Sequence, residues 1–366
     1  MPEFKGLQAN MTNQTVQKAC IYGAGAIGGW IGAGLAAAGC SVSVVARGAT
    51  LEALHRHGLR VQKTNRTEPG EAQTTSAAVQ ASADPAALGV QDLVVIAVKA
   101  PALLDVARHI APLIGPDTIV LTAMNGVPWW FFQGFGGPYA GTQLKAVDAT
   151  GEIAAAIPAA NIIGCVVHAS CSVEAPGVVR HHFGNGLIIG EPSGGSSARV
   201  QALAALLVRA GFAASVSAQI QKDSWFKLWG NMTVNPISAM TGATTDLILG
   251  DPLVRDFISK IMLEAKEIGA RIGIPIDQQP EDRHAVTLKL GPFKTSMLQD
   301  VEAGKPVELD ALVGVVRELG HLTRVPTPFT DGTSGIEPPA RAWSGLVLRR
   351  FKLHNGTIKP FWSQNA

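Results

Sequence analysis

The sequence predicts an α/β Rossmann-type doubly wound domain followed by an all-α helical domain. Three observations carry that prediction. A short apolar strand runs straight into Gly23-Ala-Gly25-Ala-Ile-Gly28 at the head of a Gly/Ala-rich helix. The runs 92–98 (DLVVIAV) and 118–123 (TIVLTA) are apolar throughout or nearly so, as strands of a parallel sheet covered on both faces are. Past residue 219 the helical period dominates.

In order, 16–22 reads as a buried strand. Residues 27–38 read as a helix small enough in its side chains to approach a sheet closely, and 41–46 as a Val-rich strand. The strands at 92–98 and 118–123 flank a crossover helix at 101–110, which gives alternating βαβ units. Two more strands, 161–172 and 177–190, turn at Ala175-Pro176-Gly177. Glu191-Pro-Ser-Gly-Gly-Ser-Ser197 is linker-like and precedes a helix at 199–210 and a strand at 213–217. Helices follow at 222–239, 252–272, 295–302 and 309–322, the last with Leu309, Leu312, Val313, Val316 and Leu319 on one face. The expected units are therefore 14–218, 219–328 and a tail at 329–366. No internal repeat is visible.

Composition narrows the function classes. A chain of 366 residues is long enough for two domains at roughly 150 residues each. Thirty basic against 28 acidic residues leave a net charge of +2, without the basic surplus of a nucleic-acid binder. At 47% hydrophobic the chain can bury a large core. Its four cysteines are too few for a disulfide framework, and no apolar signal segment opens the chain, so a reduced, cytoplasmic protein is expected. Residues 19–46 carry no charge, long enough for a membrane span, but seven glycines from Gly23 to Gly39 argue against one.

The glycine loop carries the first chemistry. After a strand and before a helix, Gly23 makes the tight turn, Gly25 lets the backbone approach a pyrophosphate, and Gly28 permits close helix–strand packing. The amides of Ala26, Ile27 and Gly28 then open the helix toward an anion. A plain packing turn is the alternative. An NAD enzyme places an acidic residue at the end of the second strand; here it is Arg47, which suits a 2′-phosphate, so NADPH is the expected cofactor. Lys99 and Asn125 end successive presumed strands, where open α/β sheets bind ligands. In the helical half, Lys227, Asn231 and Asn235 fall at i, i+4 and i+8 and share one helix face, drifting about 40° per step. Pro236 is expected to disturb that helix near Asn235.

With these elements the chain resembles the ketopantoate reductases (2-dehydropantoate 2-reductases) over roughly residues 16–328. The resemblance rests on the glycine loop, Arg47, Ala97-Val-Lys99, Asn125-Gly126, Lys227-Leu-Trp-Gly-Asn231 and Asn235-Pro236. It continues through Ser296-Met-Leu-Gln-Asp300, Glu308-Leu-Asp310 and Val325-Pro-Thr-Pro328. It implies reduction of ketopantoate to pantoate with NADPH, on the route to pantothenate and coenzyme A. It implies a catalytic role for Lys227, substrate contacts from Asn231, Asn235 and Ser296, and support from Glu308. Lys99 and Asn125 would lie beside the cofactor and catalytic centre.

The residue types agree with that chemistry. Hydride arrival puts negative charge on a carbonyl oxygen, which an ammonium stabilises and protonates. Amides bind a substrate hydroxyl without adding charge. Ser296 could take a carboxylate, although Ser296-x-x-Gln299 is also a capping-box pattern. Glu308 at a helix start would be favoured by the dipole in any case. Cys165, His168 and Cys171 do not read as a metal site, because strand alternation puts the histidine opposite both cysteines. The expected partners are a small keto acid and possible second copies of the chain as a homodimer, with no nucleic acid and no membrane. The aromatic run Pro128-Trp-Trp-Phe-Phe132 is either a buried wall or a reshaped pocket. A reductase of another small keto acid, and a non-catalytic NADPH-binding sensor, remain the alternatives. In the tail, Asp331-Gly-Thr-Ser-Gly-Ile-Glu-Pro-Pro339 is not expected to form a closing helix.

Overall fold

The computed structural model describes residues 16–63, 73–334, 351–354 and 357–360. Its first part holds β1 (Lys18–Tyr22), α1 (Ala26–Ala37), β2 (Ser41–Val45), α2 (Gly48–His57), β3 (Leu59–Lys63), β4 (Gln73–Ala77) and β5 (Gln80–Ser82). Then come β6 (Leu93–Ile96), α3 (Leu103–His109), β7 (Ile119–Thr122), α4 (Glu152–Ala156), β8 (Ile162–Ala175), β9 (Val178–Gly190), α5 (Ala198–Arg209) and β10 (Ala213–Val216).

These strands form one ten-stranded sheet in the order β4-β3-β9-β8-β7-β6-β1-β2-β5, with β10 also on β9. From β5 to β8 every neighbouring pair is parallel. β8 and β9 are antiparallel through the tight turn at Gly177, and β4 is antiparallel to β3. The apolar runs behave as expected: β6 and β7 are buried along their whole lengths.

The sheet curls around α1, which packs on β1 and also on β3, β8 and β9. That explains the helix composition. A Cβ on Gly29 would fall 2.6 Å from Val179 Cγ2, and one on Gly32 would fall 2.8 Å from Ile21 Cγ1. Side chains of any size would push the two arms of the sheet apart.

The second part is helical: α6 (Ile220–Thr241), α7 (Thr245–Gly250), α8 (Pro252–Arg271), α9 (Pro280–Leu288) and α10 (Ser296–Glu302). A π-helical turn, Asp310–Gly314, leads into α11 (Val315–Thr323), followed by α12 (Pro328–Ser334). α6 is the spine, in contact with α7, α8, α10 and the π turn. Trp225, Trp229 and Met232 face its core, and Trp229 Nε1 donates to the Met262 carbonyl at 2.7 Å.

Two expectations are corrected here, and the buried-wall alternative for the aromatic run holds. Pro236 does not disturb α6, which runs through it to Thr241. Residues 232–239 are all buried, so packing on several sides holds the helical path that the proline locally disfavours. The aromatic run belongs to two cores at once. Trp129 and Trp130 pack with the sheet, while Phe131 and Phe132 pack with the helices, so the run is a buried joint. The tail begins inside a helix: α12 includes Asp331 to Ser334, held by the Glu264 carboxylate on the Phe329 and Thr330 amides, each at 2.9 Å. Residues 335–339 of that stretch lie outside the described residues. Farther on, β11 (Phe351–His354) and β12 (Thr357–Pro360) pair antiparallel. Among the described residues no helix is long and apolar enough to cross a membrane.

Candidate active site

The glycine loop links β1 to α1. Gly23 has φ +104°, a conformation natural only to glycine, and its Cβ would meet Val98 Cγ1 at 2.7 Å. At Gly28 a Cβ would run into the Gly23 carbonyl oxygen, so packing alone demands both glycines. Gly25 is different. It caps α1 with an ordinary extended backbone, and a Cβ there would meet no protein atom within 4 Å. Neither strain nor packing requires glycine at that position. No side chain caps the helix and no acidic residue lies in its first turn, so the amides of Ala26, Ile27 and Gly28 head an uncapped helix start.

Arg47 follows β2 and stands at the N-cap of α2. Its side chain is 60% exposed, and the guanidinium pairs with Asp105 of α3 at 2.9 Å. Half-exposed pairs of this kind are weak, so the guanidinium remains available.

Lys227 projects from α6 toward the carboxyl ends of the sheet strands. Its Nζ donates to Asn125 Oδ1 at 2.8 Å and to the Val167 carbonyl of β8 at 2.7 Å. An ammonium has three donors, so one has no acceptor among the described residues. Burial lowers the Lys227 pKa to about 8; Cys165 and Glu308 partly oppose that shift, and the Arg283 charge adds to it. The Cys165 thiol beside it is pushed up to about 12 by burial and stays neutral. Asn125, Ser224, Lys227 and Asn231 line one concavity, and Asn125 and Ser224 also line its neighbour, walled by Trp129 and Trp130.

Lys99, just after β6, does not reach toward Lys227. Its Nζ donates to Asp300 Oδ2 at 2.7 Å and to Glu308 Oε2 at 3.4 Å, while the Ala100 amide donates to Glu308 Oε1 at 3.1 Å. Burial would lower the Lys99 pKa, but the two carboxylates outweigh it and hold it above its ordinary value. Glu308 therefore ties the strand end to the helical part instead of serving its own helix start, which opens with the π turn. Ser296 is likewise freed from capping. Thr295 is the cap of α10, accepting from the Leu298 amide at 3.2 Å, and Ser296 is the exposed first helical residue. α10 packs against α6, which carries the half-buried Asn231 and the buried Asn235.

The structure thus joins Lys227 with Asn125, and Lys99 with Glu308. Arg47 stands apart at the far end of the sheet-strand row, and Ser296 makes no hydrogen bond to either asparagine among the described residues. Sequence reasoning missed Asp300, the Val167 carbonyl and Arg283. Asp300 had a signal, four residues past Ser296 on the same helix. A backbone carbonyl has none.

Comparisons with known proteins agree with this architecture. Residues 19–194 match the family model "Ketopantoate reductase PanE/ApbA", and residues 219–335 match its C-terminal counterpart. A 2-dehydropantoate 2-reductase of Mesorhizobium japonicum is 47% identical over 320 residues, covering 87% of this chain and 96% of its own. Among solved structures, a ketopantoate-reductase-like protein of Ralstonia solanacearum superposes with a TM-score of 0.83 at 55% identity, over 87% of this chain and 96% of that one. The 2-dehydropantoate 2-reductase of Methylococcus capsulatus gives 0.73 at 29% identity, over 87% and 95%. A D-mandelate dehydrogenase, at 21% identity and a TM-score of 0.73, shares the fold. By sequence over nearly its full described length and by structure, the chain belongs to the ketopantoate reductase family.

Proposed function

We propose that the protein is an oxidoreductase that reduces 2-dehydropantoate (ketopantoate) to pantoate with NADPH. The observation that carries this reading is Lys227: an ammonium with two donors fixed, one left over, and a pKa near neutrality. A carbonyl oxygen bound by the third N–H would gain negative charge during reduction, and Lys227 would stabilise it and deliver the proton. Asn125 and the Val167 carbonyl aim the ammonium. Asn231 and Asn235 would bind the substrate hydroxyl, with Ser296 on the facing helix. Lys99, tied to Asp300 and Glu308, anchors the helical part to the strand end beside the cofactor.

The residues fit a dinucleotide. Gly25 is glycine without a packing reason, at an uncapped helix start where a pyrophosphate can sit on backbone amides. When bound, the nicotinamide supplies the hydride. Arg47 favours NADPH, since a guanidinium pairs with a 2′-phosphate that an acidic residue would repel. On this reading residues 14–218 bind the cofactor and 219–328 the substrate.

The Trp129–Trp130 wall beside Asn125 supports a second reading, in which a bulkier apolar keto acid is the substrate. The protein is read as cytoplasmic, consistent with four free thiols. A homodimer would cover Leu247, Leu253, Val286 and Leu290, which are 42%, 80%, 52% and 48% exposed on or near α7, α8 and α9. NADPH oxidation measured over a panel of 2-keto acids tests the main reading. Turnover fastest with ketopantoate is the expected result, and a preference for an aromatic keto acid would replace it with the second.

A further inference from the structure

Arg283, on α9, is a cation without an ion-pair partner among the described residues. Its guanidinium lies against the backbone of α6. A Cβ on Gly230 would fall 2.6 Å from Nε and 2.8 Å from Nη2, and Cζ sits 5.5 Å from the Phe226 ring centroid. Nε is buried with no hydrogen-bond partner. None of the ion pairs among the described residues includes Arg283. The nearby Lys227 ammonium makes its position worse, while burial, with Lys227 and Arg283, lowers the His168 pKa and keeps that imidazole neutral. The one acidic group nearby that acts on His168, Asp223, already accepts from the Ser217 hydroxyl. A second cation beside a part-buried guanidinium with no ion pair among the described residues is costly unless an anion joins them.

The anion's identity follows from the spacing. Gly230 lies three residues past Lys227, one turn along the same side of α6, where neighbouring positions are about 5–6 Å apart. In a 2-keto acid the carboxylate is bonded directly to the keto carbon. A keto oxygen held by Lys227 therefore leaves the carboxylate within one helical turn. We infer that Arg283 binds the carboxylate of the keto-acid substrate, making it a substrate-binding residue that selects 2-keto acids over their neutral analogues. This inference rests on the reductase reading above.

The test is steady-state kinetics of wild type, Arg283→Met and Arg283→Lys with a 2-keto acid and with the carboxamide of the same compound. NADPH binding by fluorescence serves as the check on folding. Arg283→Met should raise KM for the acid about 10- to 100-fold, the value of a lost charged hydrogen bond. Its kcat, the KM for the carboxamide and the NADPH affinity should change little, as for lost uniform binding. Arg283→Lys should recover only part of the acid preference, because it lacks the bidentate fork. A variant that keeps the wild-type preference for acid over carboxamide, or loses both substrates equally, overturns the inference while leaving the reductase reading intact. A wild type that reduces no keto acid overturns both. If Arg283→Met does not fold, the Arg283→Lys preference decides alone.

Discussion

Two lysines lie within the field of Glu308, and they are poised in opposite senses. Lys99, at a strand end, is locked between Asp300 and Glu308 and held above its ordinary pKa. Lys227, on α6, is held by a neutral amide and a carbonyl, and burial brings it down to about 8. The same side chain is a fixed charge in one setting and, in the other, an ammonium with a lowered pKa, suited to the proton-donor role proposed above. Two carboxylates within bonding distance, as against two neutral acceptors, make the difference.

The largest expected effect breaks this comparison most directly. Lys227→Ala should lower kcat by about 10²–10³, the usual loss when a preorganised donor is removed, with NADPH affinity nearly intact. Stopped-flow and steady-state assays beside Lys99→Ala decide it. A larger kcat loss from Lys99→Ala would reverse the assignment.

On the cofactor side, Gly25 and Gly29 should part company. Gly29→Ala should cost about 1–3 kcal/mol of stability through overpacking against Val179. Gly25→Ala should leave Tm nearly unchanged and weaken cofactor binding about tenfold, if that glycine's role is toward the pyrophosphate as proposed. Thermal melts and cofactor titrations separate the two, and equal melting losses would show that Gly25 is structural. Arg47→Ala should weaken NADPH about tenfold and leave NADH unchanged. Asp105→Asn frees Arg47 from a pair worth at most about 1 kcal/mol, so it should tighten NADPH by no more than about fivefold. Equal losses for both cofactors in Arg47→Ala would remove it from the 2′-phosphate.

The smallest effect is a shift in pH dependence. In the proposed mechanism protonated Lys227 is the active form, so kcat/KM should fall as pH rises through about 8. Glu308 raises the Lys227 pKa and Arg283 lowers it. Glu308→Gln should therefore move that limb to lower pH, and Arg283→Met should move it higher. A limb that stays fixed in both variants would assign the titration to another group.

Much of the fold was legible in local sequence. β6 and β7 lie in apolar runs, β1 and β2 are short strands rich in buried apolar residues, and α8 shows its helical period plainly. β3, β4 and β5 were not legible. Their apolar content is low, and β3, besides pairing with β4, joins β9 far along the chain. The capping alternative for Ser296 and the dipole alternative for Glu308 fail for a related reason. Thr295 was as good a cap as Ser296, and a carboxylate at a helix start does not reveal that a lysine more than 200 residues away will claim it.

Sequence by itself determined which groups are present and what they share locally: a glycine loop after a strand, a helix face of Lys227, Asn231 and Asn235, an arginine where an acidic residue would select NAD. Those are properties of adjacent residues and of the 1.5 Å rise and 3.6-residue turn of a helix. Only the tertiary structure decided the electrostatics. It closed the sheet around α1, brought Asn125 and Val167 onto Lys227, set Asp300 and Glu308 on Lys99, and left Arg283 beside α6 with no ion pair among the described residues. The strength and sign of those interactions depend on burial and on partners distant in the chain, and no local pattern encodes either.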